Sequence, residues 1–407
     1  MPRLPSRRSW QGTLLVMVAS QLLTQTAFTL GLPFLPLYIQ GLGVRDPQQA
    51  ALWAGASATV SGLAMAVMAP VWGRLADRFG RKAMVLRATF AGVVVVGAMA
   101  LVSSPAPLLA LRFVQGLLTG TVSASNTLVA DAVPERQLGS SMGLMQTAIF
   151  AGAAGGPLVG GLIADALGYR VPFVATAALL LLSGLLVLFG AHERGGTAGG
   201  ARAERSTRPP RRRTRALWAV LSPVIVVNLL DQLAGSVVGP VLPLVIVHLS
   251  GPQQGNVATL TGSILGSVAV SASIGALAAG RLSDRWSPRR VLAACAGGAA
   301  LFALLQGLAP SVLALGVLRA LMGLFIGGTI PAANAILGAL VPPQDRGAAF
   351  GLTASAAAFG FAGGPLLGAL LLHLDFRAPF FLTALLLALE AGWVLRALPA
   401  RATAGPA

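Results

Sequence analysis

A chain of 407 residues that is 55% hydrophobic and only 10% charged, with 50 glycines, has too little polar surface to cover a water-soluble core. Its net charge of +17 would suit nucleic acid, but the basic residues fall in short segments between long apolar stretches, which excludes a nucleic-acid face and makes the lipid bilayer the partner. Cys295, the single cysteine, excludes an intramolecular disulfide and suggests no thiol metal site.

Crossing the roughly 30 Å hydrocarbon layer takes about 20 apolar residues per helix. Twelve stretches meet this, at 13–38, 50–72, 83–103, 107–130, 139–164, 171–190, 216–248, 257–279, 289–308, 311–338, 348–372 and 377–397. The expected fold is an all-α membrane protein of twelve transmembrane helices in two six-helix bundles. The first stretch is too long for a signal-peptide core and carries Gln21, Thr24 and Gln25, so it is expected to be a retained helix. Spacings of three and four put these three residues on one face, as a polar strip beside a cavity.

After the second stretch comes GRLADRFGRK, Gly73 to Lys82, with Asp77, Arg78 and Arg81 among its charges. Charges are costly to bury, and here they stand where a helix ends and can stay in water. Gly73 and Gly80 permit a tight turn and close approach of a neighbour. The fourth stretch contains LRFVQGLLTG, with Arg112 and Gln115 some five residues inside its outer end. An intramembrane arginine faces a cavity or a partner; coupling to transport and structural bonding to a neighbour's carbonyls both stay open. The fifth stretch reads GAAGGPLVGG, where glycines four apart favour close packing and Pro157, after Gly156, kinks the helix.

The segment 192–215 is rich in Gly, Pro and Arg with almost no apolar content, and reads as a flexible linker between domains at 1–191 and 216–407. The seventh stretch then carries Asn228, Asp231 and Gln232 on one face. Asp231, about fifteen residues from either end, is the best-placed carboxylate for carrying a proton; a neutral Asp tying helix to helix is the alternative. Glu390 in the last stretch is a second proton candidate, unless it snorkels toward water near Arg396. Asn126, Gln146 and Asn334 are further cavity candidates that could equally be helix–helix hydrogen bonds. His248 and His373 fall near outer helix ends, and no metal or other cofactor is implied. No Walker A string is present, so no ATP hydrolysis and no enzyme activity is expected.

With both termini placed in the cytoplasm, 24 of the 29 basic residues fall in inside segments, which fixes that orientation. An offset of 207 residues relates Pro33 to Pro240, Gly73–Arg78 to Gly280–Arg285 with Asp77 on Asp284, Arg112 to Arg319, and Arg170 to Arg377. Register kept across separated sites marks a parallel repeat.

Two repeated six-helix halves, a cytoplasmic linker, the charged loop, LRFVQGLLTG and GAAGGPLVGG together resemble the major facilitator superfamily, and within it the twelve-helix drug:proton antiporters. FTLGLPFLPLYIQGLGV, WGRLADRFGRK and LVADAVPE are similar to bacterial multidrug resistance transporters of this kind. The resemblance implies that Asp77 contacts the start of the eleventh helix and that Arg81 pairs with Asp131. Together they would latch the cytoplasmic side while the cavity faces out. In the second copy Ser287 and Pro288 weaken the latch of Asp284 and Arg285. The resemblance also associates Arg112 with proton transfer and the fifth-helix signature with antiport. Proton-coupled export of amphipathic compounds by a monomer in a bacterial inner membrane is therefore expected. In that scheme a proton from outside neutralises Asp231 and a cytoplasmic substrate displaces it. The alternative is a proton-coupled importer or facilitator of one polar small molecule.

Overall fold

A computed structural model describes residues 7–134, 137–191, 214–251, 255–341 and 346–398. Side chains are described within these except at 7–9, 70, 77, 121–123, 131, 139, 214–220, 284 and 346–348. The side chains of Asp77, Asp131 and Asp284, and residues 192–213 of the linker, therefore lie outside the described residues.

Sixteen α-helices build the described chain, with no strand among them. In the first half they are α1 (Arg7–Gly31), α2 (Leu35–Gly41), α3 (Pro47–Phe79), α4 (Arg81–Met99), α5 (Pro105–Leu118), α6 (Thr121–Ala132), α7 (Leu138–Leu167) and α8 (Val171–Gly190). The second half has α9 (Thr214–Val237), α10 (Leu242–Ser250), α11 (Val257–Arg285), α12 (Pro288–Gln306), α13 (Val312–Ile326), α14 (Thr329–Leu340), α15 (Arg346–Leu371) and α16 (Ala378–Ala397). Eleven runs are long and apolar enough to cross a membrane, and the fourth span is the shorter pair α5–α6. Spans one, four, seven and ten are each made of two helices, broken near Pro33, Gly120, Pro240 and Gly327. These breaks sit at repeat-equivalent places. Irregular backbone within a membrane is tolerated where it is covered by protein or lines a cavity.

Local chemistry sets the ends. Proline occupies the first turn of α3, α5, α8, α10, α12 and α16, where no amide partner is lost. Asp46 caps α3 by accepting from the Gln48 amide at 3.0 Å. Gly80, at φ +91°, makes the tight turn between α3 and α4 that its sequence position predicts.

The two halves meet along two seams, α7 against α11 and α3 against α15. A methyl group at Gly161 would strike the Ala258 carbonyl, and one at Gly262 the Pro157 carbonyl. On the other seam Gly55 lies against Pro365 and Leu366, Gly62 against Ala362, and the Thr59 hydroxyl donates to the Ala362 carbonyl at 2.6 Å. All of this lies toward the end remote from Arg74, Arg78 and Arg81. At the arginine-rich end Gly73, Gly143, Gly280 and Gly351, on the same four helices, have only open space around them. The halves are closed at the far end and parted at the arginine-rich end. Among the described residues Gly73 thus mediates no close approach in this conformation; the latch that the resemblance implies belongs to the state whose cavity faces out.

Candidate transport site

Under the seams lies a cavity of about 610 Å³. Three helix breaks border it, through Leu32 and Pro33, Thr119 and Gly120, and Gly239 and Pro240. Phe28, Met65, Leu265 and Phe361 give it a largely apolar wall, and Gln25, Ser61, Gln115 and Ser236 supply polar points. A few convergent polar groups in an apolar pocket of this size suit a small amphipathic ligand.

Arg112 is the one charged residue of that wall among the described residues. It is 5% exposed and donates through Nη1 to Gln115 Oε1 at 2.6 Å, one turn along α5, while its Nε has no hydrogen-bond partner among the described residues. Its repeat mate Arg319 is equally buried and donates to Gln306 Oε1 at 3.1 Å, a residue of α12. Arg319 takes no part in the cavity wall.

The acidic groups stand behind the wall, inside the second bundle. Asp231 on α9 is 5% exposed and Glu390 on α16 is 0% exposed, and the two lie within electrostatic reach of each other. The Thr329 hydroxyl of α14 faces Asp231, and Cys295 of α12 lies near Glu390. Asp231 Oδ1 and both Glu390 carboxyl oxygens have no hydrogen-bond partner among the described residues. Complete burial rules out the snorkelling of Glu390 toward Arg396. The reason is packing: α9 and α12 cover the face of α16 that carries Glu390.

Of the polar trio on α1, only Gln25 reaches the cavity. Thr24 and Ser20 bond to Ser183 of α8 at 2.9 and 2.8 Å, and Gln21 is 1% exposed. A spacing of three or four defines a broad face, and half of it is turned into the bundle instead. On α9, Asn228 donates to its own Val224 carbonyl at 2.9 Å and Gln232 packs at Gly360. Neither is in the wall, and the same holds for Asn126, Gln146 and Asn334, the last two being exposed. Gln115 does line the cavity, as the sequence suggested. Gly156 and Gly160 let α7 press on α1, where added methyl groups would meet Thr29 and the Leu30 carbonyl; Gly364 and Gly368 repeat this between α15 and α9. Ser183, Thr329 and Asp165 were not singled out from sequence. The repeat offset alone would have found Ser183, because it pairs with Glu390 as Thr24 pairs with Asp231.

The family model described as Major Facilitator Superfamily matches residues 17–230 and 224–407. A "Multidrug resistance protein MdtG" of Rahnella sp. (strain Y9602) is 33% identical over 98% of this chain and 97% of its own length. The protein of that name from Yersinia enterocolitica is 34% identical over 99% and 97%. Among solved structures, a bacterial homologue of the human lysosomal transporter Spinster, crystallised inward-facing and occupied, has a TM-score of 0.80 at 15% identity, with 97% of each chain covered. A D-xylose–proton symporter has a TM-score of 0.75 at 18% identity, covering 96% and 98%. Both show the likeness of fold.

Proposed function

Because the chain belongs to the Major Facilitator Superfamily, whose members are transporters and not enzymes, we propose that it exports amphipathic small molecules in exchange for protons by alternating access. The observation that carries this reading is the buried acid pair. Two buried carboxyl groups within electrostatic reach of each other, three of whose oxygens have no hydrogen-bond partner among the described residues, are costly to hold fully charged, which supports a pair that holds at least one proton and can exchange it. The multidrug resistance name of the relatives and the apolar cavity support the substrate class.

The distribution of arginines supports cytoplasmic termini, which makes the arginine-rich end the cytoplasmic one and the conformation described here inward-facing. The halves 1–191 and 216–407 move about the cavity, tethered by 192–215. Each chain carries a whole cavity and a whole acid pair, which supports a monomer in a bacterial inner membrane. Substrate and proton do not compete for one group, since Asp231 is outside the cavity wall. They communicate along α9, where Asp231 lies one turn before Gly235 and Ser236, which do line the cavity. Protonation of the pair alters how α9 packs on α16, and α9 carries that change to the cavity. Arg112 holds the wall's single charge and orients the polar end of a substrate.

The test is substrate-induced collapse of a pH gradient in inside-out vesicles, with Asp231→Asn and Glu390→Gln alongside. Collapse in the parent that both variants lose is the expected result. Proton movement in the same direction as the substrate would make the protein a symporter, and collapse retained by both variants would remove the acid pair from the mechanism.

A further inference from the structure

The far-end seams are related by the repeat but are not built alike. Where α3 meets α15, α3 is capped by its own Asp46; Ala51, Ala369 and Leu372 share one buried apolar cluster, and the polar contact among the described residues is the Thr59 hydroxyl bond to the Ala362 carbonyl. Where α7 meets α11 stands Asp165, which pairs with His373 of α15 in the register that pairs Gly160 with Gly368. Its Oδ1 accepts from the Ala258 amide at 3.1 Å and its Oδ2 from the Thr259 amide at 2.6 Å. These are first-turn amides of α11, which an N-cap side chain normally satisfies. The residue at that N-cap, Asn256, makes no side-chain cap bond. The second half's eighth span is therefore capped in trans by the first half.

We infer that Asp165 is the gating residue of the far end: it holds the halves together there in the conformation open at the arginine-rich end, and transport requires its cap on α11 to break and re-form in each cycle. Two charge-assisted bonds at a helix amino terminus are among the stronger polar contacts available, and both partners can be taken up by water when the seam opens. That makes the contact both strong and reversible. The apolar cluster of Ala51, Ala369 and Leu372 has no such solvated alternative. Tyr169, in the turn after α7, packs with Phe34, Ala164 and Ala258 at the same place. Burial first and the Asp165 charge second hold its phenol above the ordinary range. The inference does not depend on which ion drives transport.

Spin labels at Leu101→Cys and Leu308→Cys, repeat-equivalent and exposed just beyond α4 and α12, report the far-end opening when Cys295 is replaced by Ala and the full chain is placed in lipid nanodiscs. Asp165→Ala is expected to raise the ratio of long to short distances about tenfold, with Asp165→Asn between it and the parent. Thr259→Pro removes the closer amide without touching Asp165, and proline is accommodated in a first helical turn. It should raise the same ratio, and Asp165→Ala added to it should add less than it does alone. Unchanged distances in Asp165→Ala, or opening by Asp165→Ala that Thr259→Pro does not reproduce, would overturn the inference. Should Asp165→Ala fail to fold, Asp165→Asn and Thr259→Pro decide the matter by the same criterion.

Discussion

One pair of positions does different work in the two halves. In the first bundle Thr24 and Ser183 join α1 to α8 by a hydroxyl–hydroxyl bond of 2.9 Å. At the equivalent places of the second bundle, 207 residues on, stand Asp231 of α9 and Glu390 of α16, within electrostatic reach of each other. The scaffold around them is shared: the broken spans, the small-residue contacts of α7 on α1 and of α15 on α9, and a basic cap on the last helix of each half. The repeat thus preserves geometry and varies charge. The pair is two hydroxyls in one half and two carboxyls in the other, so the proposed proton exchange belongs to the second bundle alone.

The largest effect should come from neutralising the acid pair. Asp231→Asn and Glu390→Gln are each expected to lower substrate-driven proton flux in proteoliposomes by about 100-fold or more, the order seen for lost acid–base groups. Thr24→Val and Ser183→Ala should leave that flux within about twofold. Their cost is stability, about 0.6 kcal/mol for an interhelical hydrogen bond in a membrane. Thermal unfolding in detergent reads the second quantity independently of the first. If Thr24→Val abolished coupling as thoroughly as Asp231→Asn, the contrast between the bundles would be wrong.

A smaller effect sharpens the same contrast at the buried arginines. Arg112 is held by Gln115, with Met99 near it; the equivalents of those two residues are Met322 and Gln306, so glutamine and methionine have exchanged places around Arg319. Each arginine keeps one amide oxygen, from its own helix in the first half and from the neighbouring helix in the second. Gln115→Met should destabilise the protein by about 1.5–3 kcal/mol, the range for losing a hydrogen bond to a charged group. Adding Met99→Gln rebuilds in the first half the arrangement found in the second, and should recover at least half of that loss in a double-mutant cycle. No recovery would mean that the two arginine pockets are not interchangeable.

Much of this architecture is legible in the sequence, because the physics behind it is local and periodic. Apolar length gives the spans, an offset of 207 gives the two halves, and the glycine spacing of α7 and α15 gives their tight contacts. What a face touches is less legible. Thr24 and Gln25 are neighbours on α1, yet one is turned into the bundle and the other into the cavity, a division set by where α8 lies. Glu390 looks close enough to Arg396 to reach water, and only the packing of α9 and α12 shows that it is sealed. Asp165 gives no signal in its own segment; its role comes from a helix almost a hundred residues away whose N-cap residue makes no cap bond. Contacts between the halves are the least readable, since they depend on how two separately patterned bundles meet.

The smallest effect concerns the last residue of the opening charged loop. Lys82 donates to the Leu188 and Ala191 carbonyls at 2.8 and 2.7 Å, closing the carboxyl end of α8. Its equivalent Arg289 donates to the Val394 and Leu395 carbonyls at the end of α16. Both cations bond carbonyls at the end of the helix and sit at the negative end of its dipole. Lys82→Arg should therefore be nearly silent, because the second half already uses arginine there, whereas Lys82→Ala should cost about 0.5–1 kcal/mol by thermal unfolding with transport retained. Loss of transport out of proportion to that cost would assign Lys82 to the moving gate instead. The loop would then be a single mechanical unit, with no division between Asp77 and Arg81, whose family resemblance implies a latch, and a basic end that anchors α8.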